Sequence, residues 1–343
     1  MNTQPKVSIV IPVYNAEASL GRTLKSLESQ EYGNLQIVLI DDGSTDSSSS
    51  MADSFASNCA SPEVLVRHID NCGAYKAREV GIDISDGDYV AFCDAGDVLE
   101  SSFVTRMVEM ATVSDADICV CAFLRTDGNT NKVEMKDFGS GCVSVDNECG
   151  WLSSVNTSLW NKLFKRQLLE KRILLNKTPR IGEDAMLLFS IYPSAKKIAF
   201  TDQVLYTYFV EDGSAMSTLS TAELSDIVEC WVQVRNKTVS SQTGFERIID
   251  LAAMVHLGVS AQLVIARTPN ENPKKVEATI SRELSSSFPL YRNSVFVTNE
   301  YVKKFPQMKK IAAMHFCVTH NLMALMARIY RFASERLNIK LGW

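Results

Sequence analysis

Two apolar runs, each ending in a polar turn, limit what this chain can fold into more than any other feature. Residues 7–13, Val-Ser-Ile-Val-Ile-Pro-Val, are rich in β-branched side chains and give way to Tyr14 and Asn15. That pattern reads as a strand buried on both faces. Leu20, Leu24 and Leu27 then recur at helical spacing up to Gln30, and residues 35–40 repeat the strand pattern, closing a βαβ unit. Ligands of such sheets sit beyond the carboxyl ends of the strands. Those ends carry Pro12, Tyr14 and Asn15 on one strand and Asp41 and Asp42 on the other, two carboxylates able to accept hydrogen bonds from a base or a ribose. Gly43 permits a sharp turn, and Ser44, Thr45 and Asp46 offer helix caps. Taken alone, the same residues also suit an ordinary turn and cap. No Gly-x-Gly-x-x-Gly follows the first strand and no Gly-x-x-x-x-Gly-Lys-Ser/Thr occurs, which counts against dehydrogenase and P-loop readings.

An ordered series of motifs extends this start. Ile9-Val10-Ile11-Pro12-Val13-Tyr14-Asn15 and Val38-Leu39-Ile40-Asp41-Asp42-Gly43-Ser44-Thr45-Asp46 are followed by Asn71-Cys72-Gly73, Ala77-Arg78, Gly81 and Gly87-Asp88-Tyr89-Val90-Ala91-Phe92-Cys93-Asp94-Ala95-Gly96-Asp97. Trp160-Asn161-Lys162-Leu163-Phe164, Gly182-Glu183-Asp184, Leu205-Tyr206-Thr207-Tyr208 and Gly213-Ser214-Ala215-Met216 come after. In that order and spacing, from about residue 6 to about residue 217, the chain resembles the family 2 glycosyltransferases, nucleotide-sugar-dependent enzymes of the GT-A fold. The resemblance implies an α/β fold with a Rossmann-like, mostly parallel sheet flanked by helices. It implies base and ribose contacts from Asp41, with Tyr14 and Asn15 beside it and Arg78 nearby on the third helix, and uridine as the most frequent base.

The family's Asp-x-Asp motif holds the ribose and a divalent metal, Mg²⁺ or Mn²⁺, that bridges the diphosphate. Here Asp94-Ala95-Gly96-Asp97 keeps the outer carboxylates and puts Gly96 where the metal-ligating one is expected. Such metals are held by one or two carboxylates together with substrate phosphates, so the loss removes much of the protein's share. Three arrangements follow: Asp97 joins Asp94 as the metal ligand, or basic side chains such as Lys76, Arg78 or Lys162 neutralise the diphosphate, or sugar transfer is lost.

Glu183 and Asp184 stand before an apolar helical stretch, where a helix dipole favours the charged form, an arrangement that also serves as a cap. The resemblance implies that Asp184 is the general base of an inverting displacement, with Glu183 its neighbour. Trp160, Asn161 and Lys162 are expected in the donor or acceptor site, an indole suiting a sugar face and an amide its hydroxyls. Tyr206, Tyr208 and Ser214 fall where the family carries a loop over the diphosphate. Here Phe209-Val210-Glu211-Asp212 replaces the usual basic residue with acidic ones.

The remaining signals are coarser. A length of 343 residues suits a catalytic domain, residues 1–217, and a helical C-terminal domain, residues 218–343. A net charge of −5 counts against nucleic acid as a partner. Nine cysteines with no Cys-x-x-Cys, and a polar start without a secretory signal, point to reduced thiols and a cytoplasmic setting. Residues 311–326 read as amphipathic; Lys303, Lys304, Lys309 and Lys310 precede them, and Arg328, Arg331, Arg336 and Lys340 follow, with Tyr330, Phe332 and Trp343 interleaved. That pattern suits an anionic membrane surface, here the inner face of the plasma membrane. The sequence thus points to an inverting glycosyltransferase moving a sugar from a nucleotide donor, UDP-linked by the resemblance, to a polysaccharide or lipid-linked acceptor in surface-glycan assembly. A GT-A-fold binding module without catalysis and a nucleotidyltransferase are the alternatives.

Overall fold

The computed structural model describes residues 4–135, 138–179, 181–210, 219–241, 244–265, 268 and 271–329. The chain divides into two compact units, residues 1–146, 156–173 and 190–212 in the first and residues 147–155, 174–189 and 213–343 in the second. This differs from a single boundary at residue 217. Segments 147–155 and 174–189 lie early in the chain yet belong to the second unit, because their apolar side chains pack there: Phe189 lies 5.8 Å from Trp231, ring to ring.

The first unit is built on one sheet. β1 (Val7–Val13), β2 (Leu35–Asp41), β3 (Glu63–His68) and β4 (Tyr89–Phe92) run parallel in the order β3-β2-β1-β4. Beyond β4 the sheet is mixed. β9 (Lys162–Lys165) lies antiparallel between β4 and β6 (Ile118–Thr126), and β6 runs parallel to β10 (Lys197–Phe209). Short strands β5 (Val98–Leu99), β7 (Asn131–Glu134) and β8 (Gly141–Ser144) pair antiparallel with β10, β6 and β10. The expected α/β sheet is therefore present, parallel in its N-terminal half and mixed in the other.

Side-chain alternation along the strands assigns the helices to faces. Val7, Ile9, Ile11, Val13, Ile37 and Leu39 share a core with Leu20, Leu24 and Leu27 of α1 (Leu20–Glu28), Ala52 of α2 (Ser48–Asn58), and Phe103, Val104 and Met107 of α4 (Phe103–Ser114). Val10 and Ile40 point the other way, towards α3 (Ala74–Ile84). Ser8 is the polar exception in β1. It is buried, donates to Gln36 Oε1 at 2.7 Å and accepts from the Gly87 N–H at 2.9 Å, so no buried polar group is left over there.

The second unit is helical, as expected. Thr221–Ser241, Pro273–Ser287 and Lys309–Thr319 pack with a continuous helix over residues 246–265. That last helix is long and apolar enough to cross a membrane, yet 89% of its most apolar window is buried within the fold. Its one charge in the core, Asp250, is paired with Arg235 at 2.6 Å and accepts from the Leu290 N–H at 2.8 Å. Gly258 allows close approach, since a Cβ there would lie 3.1 Å from Val318 and 3.2 Å from Leu284.

α3 sits so close to β1 that a Cβ on Gly81 would fall 2.2 Å from Val10 Cγ1 and 3.3 Å from Ile40 Cγ1. Gly81→Ala is expected to destabilise the protein by ~1–3 kcal/mol through overpacking, read as a lower urea midpoint. An unchanged midpoint would mean that α3 stands farther from the sheet.

Candidate functional site

The crevice is a consequence of strand register. β1 pairs with β2 through Val13↔Asp41, but with β4 only through Val10↔Phe92. Strand order also reverses at β1, with β2 and β3 on one side and β4 on the other, so the gap beyond Val10 is a topological switch point. Pro12 lies in that unpaired stretch, where its missing N–H breaks no ladder bond to β4.

Around the gap, Tyr14 is 51% exposed and offers its ring to a base. Asn15 adopts a positive φ of 46° and joins the first two turns: its Oδ1 accepts from the Thr45 N–H at 2.8 Å, and its N–H donates to Ser44 Oγ at 3.1 Å. Asp41 accepts from the Ser44 N–H at 3.1 Å and pairs with His68 Nδ1 at 2.8 Å. Burial pushes the Asp41 carboxyl up, but the bonds from Ser44 and His68 more than offset this and hold it below the usual range, so it stays an anion. Asp42 has a different task. Its two oxygens accept from the Cys72 and Gly73 N–H groups at 2.8 and 2.9 Å, fixing the loop that leads into α3. It is as buried as Asp41.

Arg78 is on α3 as expected, buried, and donates to Asp94 Oδ1 at 2.7 Å. The Asp94 side chain remains 36% exposed in the crevice. Asp97 does not join it. β5 pairs with β10 so that Leu99 faces Tyr206 and Val98 faces Thr207, which aims the carboxyl of Asp97 into the fold. There it accepts from the Tyr206 hydroxyl at 2.7 Å and the Phe209 N–H at 2.9 Å. Burial, and secondarily the nearby Asp94, push its carboxyl up to about 8. Asp97 is therefore a neutral, inward-facing group near pH 7, and the sequence-based expectation that it serves as a metal ligand is corrected. Of the two carboxylates, Asp94 alone faces the crevice, at the low end of the one or two that ordinarily hold such a cation together with substrate phosphates.

Trp160, Asn161 and Lys162 are also corrected. Trp160 is stacked on Tyr206 and Tyr208 with centroids 4.4 and 5.4 Å away, and meets Phe123 edge-on at 4.6 Å. Asn161 is fully buried and donates to the Cys121 carbonyl at 2.8 Å. Lys162 is equally buried, its ammonium donating to the Asn156 and Ser158 carbonyls and to Asn161 Oδ1 at 2.8, 2.6 and 2.8 Å. These three build the core of the sheet and do not face a substrate. Tyr206 and Tyr208 belong to β10, not to a loop, while Glu211, Asp212 and Ser214 lie outside the described residues. Lys76 pairs with Glu79 at 2.8 Å.

Glu183 and Asp184 begin the helix Glu183–Ile191 of the second unit, both half-buried in its first turn. Gly182, with φ +81°, supplies the left-handed turn before them.

Two residues of the site were missed from sequence. Thr23 Oγ1 donates to the Asp97 carbonyl at 2.7 Å and accepts from the Gly96 N–H at 2.8 Å, tying α1 to the Asp94–Asp97 turn. Arg22 Nε donates to the Gly96 carbonyl, and its guanidinium lies 4.3 Å over the Phe209 ring. The signal was positional, since the first turn of α1 lies directly behind the end of β1, but an apolar-period reading registers only the leucines.

The Asp97 carboxyl binds its proton more tightly folded than unfolded, so its contribution to stability is complete below about pH 4 and is lost as pH rises through about 8. The melting temperature should fall over that interval, and Asp97→Asn should flatten the slope. A slope unchanged in the variant would mean that Asp97 is ionised in the fold.

Comparison with known proteins agrees with this geometry. The model of "Glycosyl transferase family 2" matches residues 8–193. Glycosyltransferase GlyA of Streptococcus pneumoniae is 28% identical over 62% of this chain and 32% of its own length. The uncharacterized glycosyltransferase EpsJ of Bacillus subtilis is 28% identical over 60% of this chain and 61% of its own. The poly(ribitol-phosphate) beta-glucosyltransferase of Bacillus spizizenii is 30% identical over 62% and 33%. The matched region thus spans between about a third and three fifths of these relatives. Among solved structures, S. aureus TarS 1-349 in complex with UDP superposes with a TM-score of 0.68 at 16% identity, covering 98% of this chain and 93% of that one. The mannosyltransferase PcManGT from Pyrobaculum calidifontis, in complex with GDP-Man and Mn²⁺, superposes at 0.53 and 15% identity, over 98% and 89%. The extent of the family match, over the same residues that form the crevice, makes this chain a member of glycosyl transferase family 2.

Proposed function

We propose that this protein is an inverting glycosyltransferase that takes a sugar from a UDP-linked donor and passes it to a polysaccharide or lipid-linked acceptor in cell-surface glycan assembly. The observation that carries the reading is the crevice between β1 and β4, with exposed Tyr14 and the exposed edge of Asp94 at it and anionic Asp41 buried at the neighbouring end of β2. An aromatic face with a carboxylate beside it suits a base and ribose. The UDP complex of TarS supports uridine as the base, and the names of relatives support surface-glycan acceptors.

In the proposed step the acceptor hydroxyl gives its proton to the Asp184 carboxylate while its oxygen bonds to the anomeric carbon. The bond from that carbon to the phosphate oxygen breaks, and the nucleoside diphosphate leaves with the electron pair from the opposite face. The role of Asp184 is supported by its place in the family pattern, with Glu183 beside it. We further propose that the C-terminal region meets an anionic membrane surface at the cytoplasmic side. Exposed Phe316, Leu325, Met326 and Ile329, with exposed Lys303, Lys304, Lys309, Lys310 and Arg328, support this. Arg331, Arg336, Lys340, Tyr330, Phe332 and Trp343 lie outside the described residues.

Calorimetry should show UDP binding more tightly than GDP, and Tyr14→Ala or Asp41→Ala should weaken it. Screening of UDP-sugars should find one that releases UDP in the presence of an isolated glycan or glycolipid fraction, and Asp184→Asn should lower that turnover ~10²–10⁴-fold without changing UDP affinity. UDP binding with no turnover of any sugar donor would instead favour the binding module. Flotation with phosphatidylglycerol vesicles at low salt should carry the protein upward; protein remaining at the bottom refutes the membrane contact.

A further inference from the structure

The turn that ought to hold a metal holds a guanidinium instead. Gly96 has φ +115°, a region that L side chains rarely adopt, and a Cβ built there would lie 3.3 Å from Arg22 Nη2 and 3.1 Å from Ser19 Oγ. Arg22 thus fills the space beside position 96 into which a ligating carboxylate would project. It is held there by the Gly96 carbonyl and the face of Phe209. Neither neighbouring carboxylate makes up for the loss, because Asp97 is turned onto Tyr206 and the Phe209 N–H, and one oxygen of Asp94 is taken by Arg78.

We propose that Arg22 gives the donor diphosphate the positive charge that Mn²⁺ or Mg²⁺ would give in a metal-dependent enzyme, so that nucleoside diphosphate binding by this chain needs no divalent cation. The proposal rests on the nucleotide-site reading above. A guanidinium is planar, keeps its charge at all working pH values and presents paired N–H donors that match two phosphate oxygens. Its contacts with Gly96 and Phe209 set that charge beside the Asp94–Asp97 turn, which follows β4 at the edge of the β1–β4 crevice. The fold also couples it to the turn: Thr23, the next residue, fixes the backbone of Gly96 and Asp97 from the same helix.

The test compares uridine, followed by ligand-observed NMR, with UDP, followed by calorimetry, in EDTA and in Mn²⁺. The wild-type protein should bind UDP equally well in both solutions, within about threefold. Arg22→Gln should weaken UDP ~10–100-fold and leave uridine unchanged, with Arg22→Lys recovering part of the loss. Mn²⁺ strengthening UDP binding to the wild type tenfold or more, while uridine binds regardless, overturns the role of Arg22 and leaves the nucleotide site standing. Absence of both uridine and UDP binding overturns the nucleotide site and the proposal together. A folded Arg22→Gln that binds UDP as tightly as the wild type likewise overturns the role of Arg22, and where that variant fails to fold Arg22→Lys takes its place in the comparison.

Discussion

Everything proposed for the crevice depends on β1 parting from β4 three residues before it parts from β2. A sheet that stayed paired to the tip of both strands would leave no space for a ligand between them. The separation is built into residue choice, since Pro12 cannot donate to a neighbouring strand and the chain after Phe92 turns away at once into Asp94 and its turn. Once the gap exists, the first helices and turns converge on it from fixed directions: α1 brings Arg22 and Thr23, the second turn brings Asp41, and α3 brings Arg78.

The polar groups beneath the gap are satisfied in pairs and triads rather than singly. Asp42 is matched to two backbone N–H groups, Lys162 to three acceptors, and Asp97 to a tyrosine hydroxyl and an amide. Burying such groups is costly unless every donor and acceptor finds a partner. Satisfied, they specify one arrangement of the Asp94–Asp97 turn over its competitors, which an apolar filling of equal volume would do less sharply. The stack of Tyr206, Trp160 and Tyr208 performs the corresponding role for the apolar side of the same turn.

Much of this was legible in the residues, and the failures lie where distant parts of the chain meet. Strand runs, the βαβ crossover and the helical second half follow from local periodicity and punctuation, and the place of Arg78 on the third helix from the family resemblance. Direction of side chains was not legible. Trp160, Lys162 and Asp97 have the chemistry of site residues, but which way each points depends on pairing with β6, β10 and β5, partners distant in sequence. Arg22 was missed for the converse reason: its neighbours read as one face of a helix, and only the three-dimensional turn at Gly96 shows what the arginine fills. Two units were expected, but their interleaving escaped the sequence, because the chain leaves the first unit and returns to it twice.

That interleaving has a consequence for how the protein forms during synthesis. Residues 174–189, with Ala185 to Phe189 almost wholly apolar and buried in the finished fold, are made before the helix carrying Trp231 that covers Phe189. Contacts so far apart along the chain raise the contact order and delay closure. For the time it takes to make some forty further residues, an apolar segment carrying Glu183 and Asp184 at its start waits uncovered. During that interval the segment is exposed apolar surface of the kind that aggregates or is bound by chaperones.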